Sequence, residues 1–187
     1  MLALPDGGAL TVRPIASNDA PALVALHGRL SADTIYRRYF GARPHLSPAD
    51  VQRFTRVVED WRFALVAVRD PDDLVAVARY EGSPGEQRAE IAVVVDDALQ
   101  RQGLGRTLLL RLVDVASVRG LDALVADVLG ANRAMLGLLR GLGLPSQTVV
   151  DHDTHTVTLD LRECRLEPER AARANAHVAD AQAMRGG

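Results

Sequence analysis

AVVVDDALQRQGLGRTLLLRLV, residues 92–113, joins a valine-rich apolar run to a long amphipathic stretch through a short polar loop. This order predicts a buried strand, a loop and a helix. Gly103 and Gly105 have no Cβ, so the backbone there can approach an anion closely and take up positive φ. Free N–H groups at the helix start would point at that anion, and Arg101 and Arg106 add positive charge. The segment predicts a phosphate site, although a plain turn before a helix fits an isolated G-x-G equally well.

Two other phosphate-binding motifs are excluded at this loop. A dinucleotide fingerprint, G-x-G-x-x-G, would need a glycine where the chain has Leu108. A P-loop would need Gly-Lys followed by Ser or Thr, and the loop lacks that sequence as well.

Apolar patterning around the loop predicts one domain that mixes strands and helices. Strands are expected at 10–13, 62–68, 74–80, 89–95 and 121–129, with a last hairpin over 147–161 that turns near Asp151–Asp153. Helices are expected at 19–30, 104–118 and 132–140, and two more are expected to begin after Ser31 and after Ser47. In the helix after Ser47, Val51, Phe54 and Val58 would form the buried face. Asp70-Pro71-Asp72-Asp73 is a strong turn signal between two nearly continuous apolar runs, so we expect inner strands buried on both faces.

The stretch after Ser31 carries an aromatic stripe, Ile35, Tyr36, Tyr39 and Phe40, at helical spacing. Such stripes are usually buried, so we expect core packing rather than substrate contact. The arginines within Tyr36-Arg37-Arg38-Tyr39 are expected on a solvated helix face, with contact to a cofactor or substrate as the alternative.

Composition limits the classes of function. The 187 residues are 48% hydrophobic with a formal net charge of -2, so nothing favours nucleic acid as a partner. Cys164 is the single cysteine, and we find no signal peptide and no apolar stretch of membrane-spanning length, which predicts a cytoplasmic protein. We expect a domain over 1–161 and a charged, alanine-rich tail over 162–187 that is helical or disordered. His152 and His155 lie in a predicted turn, and we expect no metal site there.

Three stretches carry a resemblance to a known family. Gln100-x-x-Gly103-x-Gly105 after the valine strand resembles the Q/R-x-x-G-x-G/A signature of the GNAT superfamily of N-acetyltransferases. The segment that starts at Asn132 resembles the superfamily's second cofactor segment, and residues 11–54 are similar to bacterial protein lysine acetyltransferases of the Pat type. The resemblance implies an α/β (α+β) GNAT fold: a mixed, mostly antiparallel sheet of six or seven strands, splayed at its centre and flanked by helices.

The resemblance also implies acetyl-CoA as cosubstrate, without a metal. The strand before the loop would bind the pantetheine arm, the loop the pyrophosphate, and the asparagine another part of the coenzyme. The cofactor-binding residues implied are Val93, Val94, Val95, Gln100, Arg101, Gln102, Gly103, Leu104, Gly105, Arg106 and Asn132.

Glu90 matches the glutamate that Pat-type enzymes use as general base. An attacking lysine needs such a base, because with a pKa of ~10.4 it is neutral only about once in 2,000 molecules at neutral pH. We expect partial burial to raise the proton affinity of Glu90. The alternative is a strand-end carboxylate that faces water or pairs with Arg88. Many superfamily members have a tyrosine as general acid, but positions 135–142 hold none, so the acid stays unassigned.

The resemblance implies acetyl transfer to a lysine ε-amine of a protein, with acyl-CoA synthetases as the family's usual targets. Acetylation of a small amine is one alternative, and a non-catalytic acyl-CoA-sensing module is another. A protein substrate is the expected partner, nucleic acid and membrane are not, and a homodimer is compatible with the sequence.

Overall fold

The computed structural model describes residues 2–3, 8–56, 61–69, 73–164 and 166–183. The strands are β1 (Leu2–Ala3), β2 (Ala9–Pro14), β3 (Arg62–Val68), β4 (Leu74–Gly82), β5 (Arg88–Val95), β6 (Ala123–Leu129), β7 (Ser146–Asp151) and β8 (Thr154–Asp160). The helices are α1 (Ala20–Arg29), α2 (Ala32–Tyr39), α3 (Pro48–Thr55), α4 (Leu104–Val118), α5 (Arg133–Arg140) and α6 (Pro168–Ala183).

Strands β2 to β8 form one mixed sheet, and the two-residue β1 extends it beside β2, giving the order β1-β2-β3-β4-β5-β6-β8-β7. Every neighbouring pair is antiparallel except β5 and β6, which run parallel. The parallel pairing covers three residues, Arg88–Glu90 against Ala123–Val125, and goes no further along either strand. The predicted fold class, a mostly antiparallel sheet that splays at its centre, is confirmed.

The core lies on both faces of the central strands. β3 and β4 are buried along almost their whole length, as their continuous apolar runs predict. One face is covered by the apolar stripe of α4, with Leu108, Leu109 and Leu112 fully buried, and the other by α1 through Leu23 and Leu26. The centre of the sheet is therefore held by helices from both sides.

The hairpin turns of the fold are only partly covered by the described residues. The last hairpin turns between β7 and β8 as predicted, with His152 at a φ of 50°. β3 and β4 pair from Arg62 opposite Glu81 to Val68 opposite Leu74. Asp70, Pro71 and Asp72 of the predicted connecting turn lie outside the described residues, and so does Val58, which was expected to face inward.

The aromatic stripe of α2 is not a core stripe. Ile35 is buried as expected, but Tyr36 is 52% exposed and Phe40 is 41% exposed, so the prediction is wrong for these two. α2 meets the sheet through one narrow face, and its other faces border solvent or a cleft.

α6 packs against α4 and β2. Its Arg170 forms an ion pair with the buried Asp114 of α4, and Ala174 and Ala181 are buried in the contact. Within the part of the chain that the structure describes, no helix is both long enough and apolar enough to cross a membrane.

His177 of α6 is 8% exposed, and neither ring nitrogen has a hydrogen-bond partner among the described residues. Burial lowers its pKa, the cations of Arg111 and Arg173 lower it further, and Asp180 opposes them. A histidine with a lowered folded pKa binds its proton less readily than in the unfolded chain, so stability falls as pH drops below about 6.5. We expect His177→Leu to raise the melting temperature at pH 5.5 and to reduce the fall in melting temperature between pH 7.5 and pH 5.5.

Thermal unfolding of both proteins at the two pH values measures this difference. His152→Asn is the matched control, because it removes a histidine whose side chain is 94% exposed. Equal pH dependence in wild type and His177→Leu would show that His177 contributes nothing to it.

Candidate active site

The sheet opens where the pairing of β5 and β6 stops. Glu90 opposite Val125 is the last pair, and beyond it the two strands diverge around a cleft of about 990 Å³. Val93 and Val95 of β5, Ala126 and Val128 of β6, and the start of α4 line this cleft. We call it the large cleft.

The register of β5 determines which of its backbone groups face the opening. The N–H of Asp96 donates to the Val75 oxygen at 2.9 Å, so Asp96 is directed toward β4. Because backbone direction alternates along a strand, Val94 also faces β4, whereas Val93 and Val95 face the side that β6 has left. Of the three predicted strand residues, Val93 and Val95 thus direct their backbone groups toward the large cleft, although the Val95 oxygen already accepts from Gln100.

Gln100 lines the large cleft, but its side-chain amide hydrogen-bonds within the protein. Its Nε2 donates to Asp97 Oδ1 at 2.8 Å, to the Val95 oxygen at 3.2 Å and to Thr34 Oγ1 at 3.2 Å. Asp97 in turn accepts from Ser31 and Thr34 of the α2 start. Burial raises the Asp97 pKa, but these hydrogen bonds outweigh it, and the pKa is lowered overall. Gln100 therefore fixes the loop between β5 and α2.

The loop then enters α4 through a left-handed turn. Gly103, the N-cap of α4, has a φ of 83°, and Arg101 has a φ of 61°. The first N–H groups of α4 have no intrahelical acceptors, and Arg101, Gly103, Gly105 and Arg106 line the large cleft beside them. This arrangement suits an anion, as the sequence predicts.

The other predicted loop features differ in detail. Gly105 is helical and has no positive φ, and a Cβ there would be in ordinary contact with Leu138 at 3.5 Å and Val95 at 3.6 Å, so the fold itself does not require a glycine at this position. Leu104 is 1% exposed in the core, and the Gln102 amide donates to the Ala98 oxygen at 3.2 Å. Neither of these two side chains lines the large cleft.

Asn132 lies at the far wall of the large cleft, where it caps α5. Its Oδ1 accepts from the Met135 N–H at 3.1 Å, which leaves the Nδ2 hydrogens for another partner. α5 is also joined to α4, because Arg106 Nε donates to the Gly141 oxygen at 3.1 Å.

A second cleft, of about 490 Å³, lies below α2 and α3. We call it the small cleft. Its lining includes Arg79 and Glu81 of β4 and Phe54 of α3. Four residues line both clefts: Arg38, Tyr39, Glu90 and Ala92. The two clefts therefore meet at the point where the sheet begins to open.

Glu90 lies at this meeting point with its side chain exposed. Within the described part of the chain it makes no hydrogen bond or ion pair, so the alternative of a pair with Arg88 does not hold, whereas the alternative of a carboxylate that faces water agrees with its exposure. The expected partial burial is wrong, because the carboxylate borders two clefts at once. Its cross-strand neighbour Glu81, by contrast, accepts from Arg62 at 2.6 Å and from Arg53 at 2.9 Å. Of these two adjacent carboxylates, Glu90 is the one without a bound cation.

Sequence reasoning missed most of the small cleft. Arg38 and Tyr39 are not on a solvated face but are half-buried between the two clefts. A signal for Arg79 was present, because it is a charge inside the apolar run LVAVARY. That Arg79 lies near α2 and α3 depends on tertiary contacts, which no local sequence pattern shows.

No metal-binding group emerges around the turn between β7 and β8. His152 is bonded to Asp151, and among the described residues no three His, Cys, Asp or Glu side chains are grouped so that they could hold a metal ion.

A mixed sheet that opens between two parallel strands, with a helix start directed at the opening, is the arrangement of the GNAT fold. The chain belongs to the acetyltransferase (GNAT) family, whose model matches residues 30–144. An acetyltransferase of Pseudomonas aeruginosa is 31% identical over 157 residues, covering 82% of this chain and 84% of that protein. The protein is therefore a GNAT acetyltransferase, an enzyme of a family that uses acetyl-CoA.

Solved structures show the same fold. The GNAT domain of S. lividans PAT superposes with a TM-score of 0.77 at 32% identity, covering 86% of this chain and 95% of that one. The Salmonella typhimurium protein yncA, whose structure contains its cofactor acetyl-CoA, has a TM-score of 0.68 at 22% identity and covers 86% and 98%. The first of these supports the resemblance to Pat-type proteins, and the second shows the fold.

Proposed function

We propose that this enzyme moves the acetyl group of acetyl-CoA to a lysine ε-amine of a protein, such as an acyl-CoA synthetase, with Glu90 as general base. The observation that carries the proposal is the position of Glu90, unpaired among the described residues, where the large and small clefts meet. The likeness to the GNAT domain of S. lividans PAT supports the protein acceptor.

In this proposal acetyl-CoA occupies the large cleft. Its pyrophosphate lies at the start of α4 beside Arg101 and Arg106, where free N–H groups and the helix dipole favour an anion. The pantetheine arm hydrogen-bonds to the backbone groups of Val93 and to the N–H of Val95, and Asn132 donates through Nδ2. The thioester then lies near the meeting point of the two clefts.

The acceptor amine enters from the small cleft. Its nitrogen attacks the thioester carbonyl carbon, Glu90 takes the proton from the nitrogen, and a backbone N–H of β5 stabilises the charge on oxygen. The carbon–sulfur bond breaks, and the thiolate leaves and takes a proton. The products are the N-acetylated acceptor and CoA.

Two substitutions of Asn132 distinguish its role as the N-cap of α5 from its proposed role in binding acetyl-CoA. Asn132→Asp keeps the oxygen that accepts from Met135 but removes the Nδ2 donor and adds negative charge. We expect unchanged thermal stability and a KM for acetyl-CoA raised about 5- to 10-fold. Asn132→Ala should raise KM similarly and also lose about 1 kcal/mol of stability, because the cap is lost. Equal KM values in wild type and Asn132→Asp would remove Asn132 from the cofactor site.

The acceptor class is tested by incubating the purified enzyme with acetyl-CoA and a cell lysate, followed by mass spectrometry of acetylated lysines. A parallel assay offers a panel of small amines. Discrete acetylated lysines that require the enzyme support the proposal. Turnover confined to small amines would favour the first alternative, and tight CoA binding without turnover on any amine would favour a sensing module.

A cytoplasmic location and a homodimer stay predictions from the sequence. Fractionation of cells and analytical ultracentrifugation of the purified chain test them directly.

A further inference from the structure

The small cleft is rich in arginine. Five arginines line it, together with three glutamates: Arg38, Arg43, Arg53, Arg79, Arg88, Glu81, Glu86 and Glu90. Two of these arginines have carboxylate partners, since Arg53 pairs with Glu81 and Arg43 with Asp50. Arg88 is exposed. The remaining two, Arg38 and Arg79, are half-buried and make no ion pair within the described residues.

Arg79 is held firmly in place. One of its terminal nitrogens donates to the Phe54 oxygen at 2.7 Å, and the guanidinium lies 4.0 Å from the centre of the Phe54 ring. Arg38 contacts the Tyr39 ring at 5.0 Å and has no hydrogen-bond partner in the described part of the chain. Several guanidinium N–H groups are thus without an acceptor at a cleft wall.

Burial makes the charged forms of both arginines less favourable. Burial, followed by the nearby charge of Arg38, lowers the pKa of Arg79 to about 10. Burial lowers the pKa of Arg38 as well, against the opposing effects of Tyr39, Glu90 and Glu81. Two like charges that have lost part of their hydration are costly unless an anion joins them.

The pair also lies next to the proposed base. Arg79 is opposite Ala92 in the ladder and Glu81 is opposite Glu90, so Arg79 and Glu90 are diagonal neighbours on one face of the sheet. Arg38 lines both clefts beside Glu90. An anion bound by the two arginines would therefore lie beside the proposed base.

We propose that Arg38 and Arg79 form an anion subsite that binds a carboxylate carried by the acceptor next to the amine that is acetylated. This inference rests on the proposed function, because it takes the small cleft as the acceptor site. A carboxylate matches the pair, because each of its two oxygens can accept from one guanidinium group. The carboxylate can come from an acidic residue beside the lysine or from the acceptor's own α-carboxylate when the acceptor is a free amino acid.

Matched acceptors distinguish these sources. One series uses N-acetylated peptides with a single lysine flanked by aspartate, asparagine or phosphoserine, and another uses free amino acids beside their amides. The wild-type kcat/KM should be about 10- to 100-fold higher for the carboxylate member of at least one series. In Arg38→Gln this preference should fall to about 3-fold or less, while Arg38→Lys keeps part of it.

Arg38 carries the test because Arg79 is also bonded to Phe54, and its loss endangers folding. Arg140→Gln, an exposed arginine of α5 outside both clefts, is the control and should keep the full preference. Equal rates on acid and amide acceptors, an equal loss on both in Arg38→Gln, or a preference for phosphoserine would overturn the proposal.

A binding experiment distinguishes a failure of this inference from a failure of the proposed function. If no acceptor turns over, the proposed function fails, and the subsite is then tested by titrating ¹⁵N-labelled enzyme with the same acceptors. Arginine Nε–H signals that shift with the carboxylate member, not with its amide, and that lose this response in Arg38→Gln support the subsite. Identical shifts with acid and amide would refute it.

Discussion

Glu90→Gln is expected to lower kcat for acetyl transfer by at least about 100-fold near neutral pH, because a positioned general base contributes about 10²- to 10⁴-fold. The change removes the proton acceptor while keeping the shape of the side chain. The KM for acetyl-CoA should stay within about 2-fold of wild type, since the effect is confined to the chemical step. Steady-state kinetics with each substrate varied in turn measures both parameters.

The pH profile distinguishes a base from a merely structural residue. As pH rises toward the lysine pKa of ~10.4, the acceptor amine loses its proton to solvent and the deficit of Glu90→Gln should shrink. Glu163→Gln, the same chemical change at an exposed position outside both clefts, should match wild type throughout. Unchanged turnover of Glu90→Gln across the pH range would refute the assignment.

Asp19→Ala is expected to cause the largest loss of stability among single changes of an ion pair, about 3 kcal/mol. Asp19 is 3% exposed and accepts from both terminal nitrogens of Arg13, at 2.6 and 2.7 Å, and from the Ala16 N–H at 2.7 Å. The hydrogen bond from Arg13 to Asp19 raises the pKa of Arg13, against the opposing effect of burial. Removing the carboxylate leaves a partly buried cation and a backbone donor unpaired at the point where β2 leads into α1.

Chemical denaturation measures the free energy of unfolding, with Asp33→Ala as the comparison. Asp33 pairs with Arg37 at 2.9 Å, but the two side chains are 65% and 41% exposed, so its loss should cost about 0.5 kcal/mol or less. A loss from Asp19→Ala as small as that from Asp33→Ala would show that the buried pair stabilises the fold no more than an exposed one.

The fold is largely predictable because its signals are local. The valine run before Asp96, the cap residues and the leucine spacing of α4 each identify one element within a dozen residues. The split of the sheet is different: no residue pattern shows that β5 and β6 pair over three positions and then part. That expectation rests on the family resemblance, and the structure confirms it.

The site is predictable where one segment carries it and unpredictable where several segments meet. Gly103 has the positive φ that its position in the loop predicts. That Val94 faces β4 while Val93 and Val95 face the large cleft depends on the register of β5 with β4. That the Gln100 amide hydrogen-bonds to Thr34 depends on the position of α2. Arg38 and Arg79 are 41 positions apart in sequence, so only the packing of α2 against the sheet reveals that they line one cleft.

A crystal structure of the enzyme with acetyl-CoA tests whether the opening of the sheet is the site of acetyl transfer. We expect the pyrophosphate against the N–H groups at the start of α4, and the thioester at the meeting point of the two clefts. The carbonyl carbon should lie where an amine bound to it reaches Glu90 directly, at about 2.6–3.2 Å, or through one water. A coenzyme bound outside the opening between β5 and β6, or a thioester beyond the reach of Glu90, would contradict this mechanism.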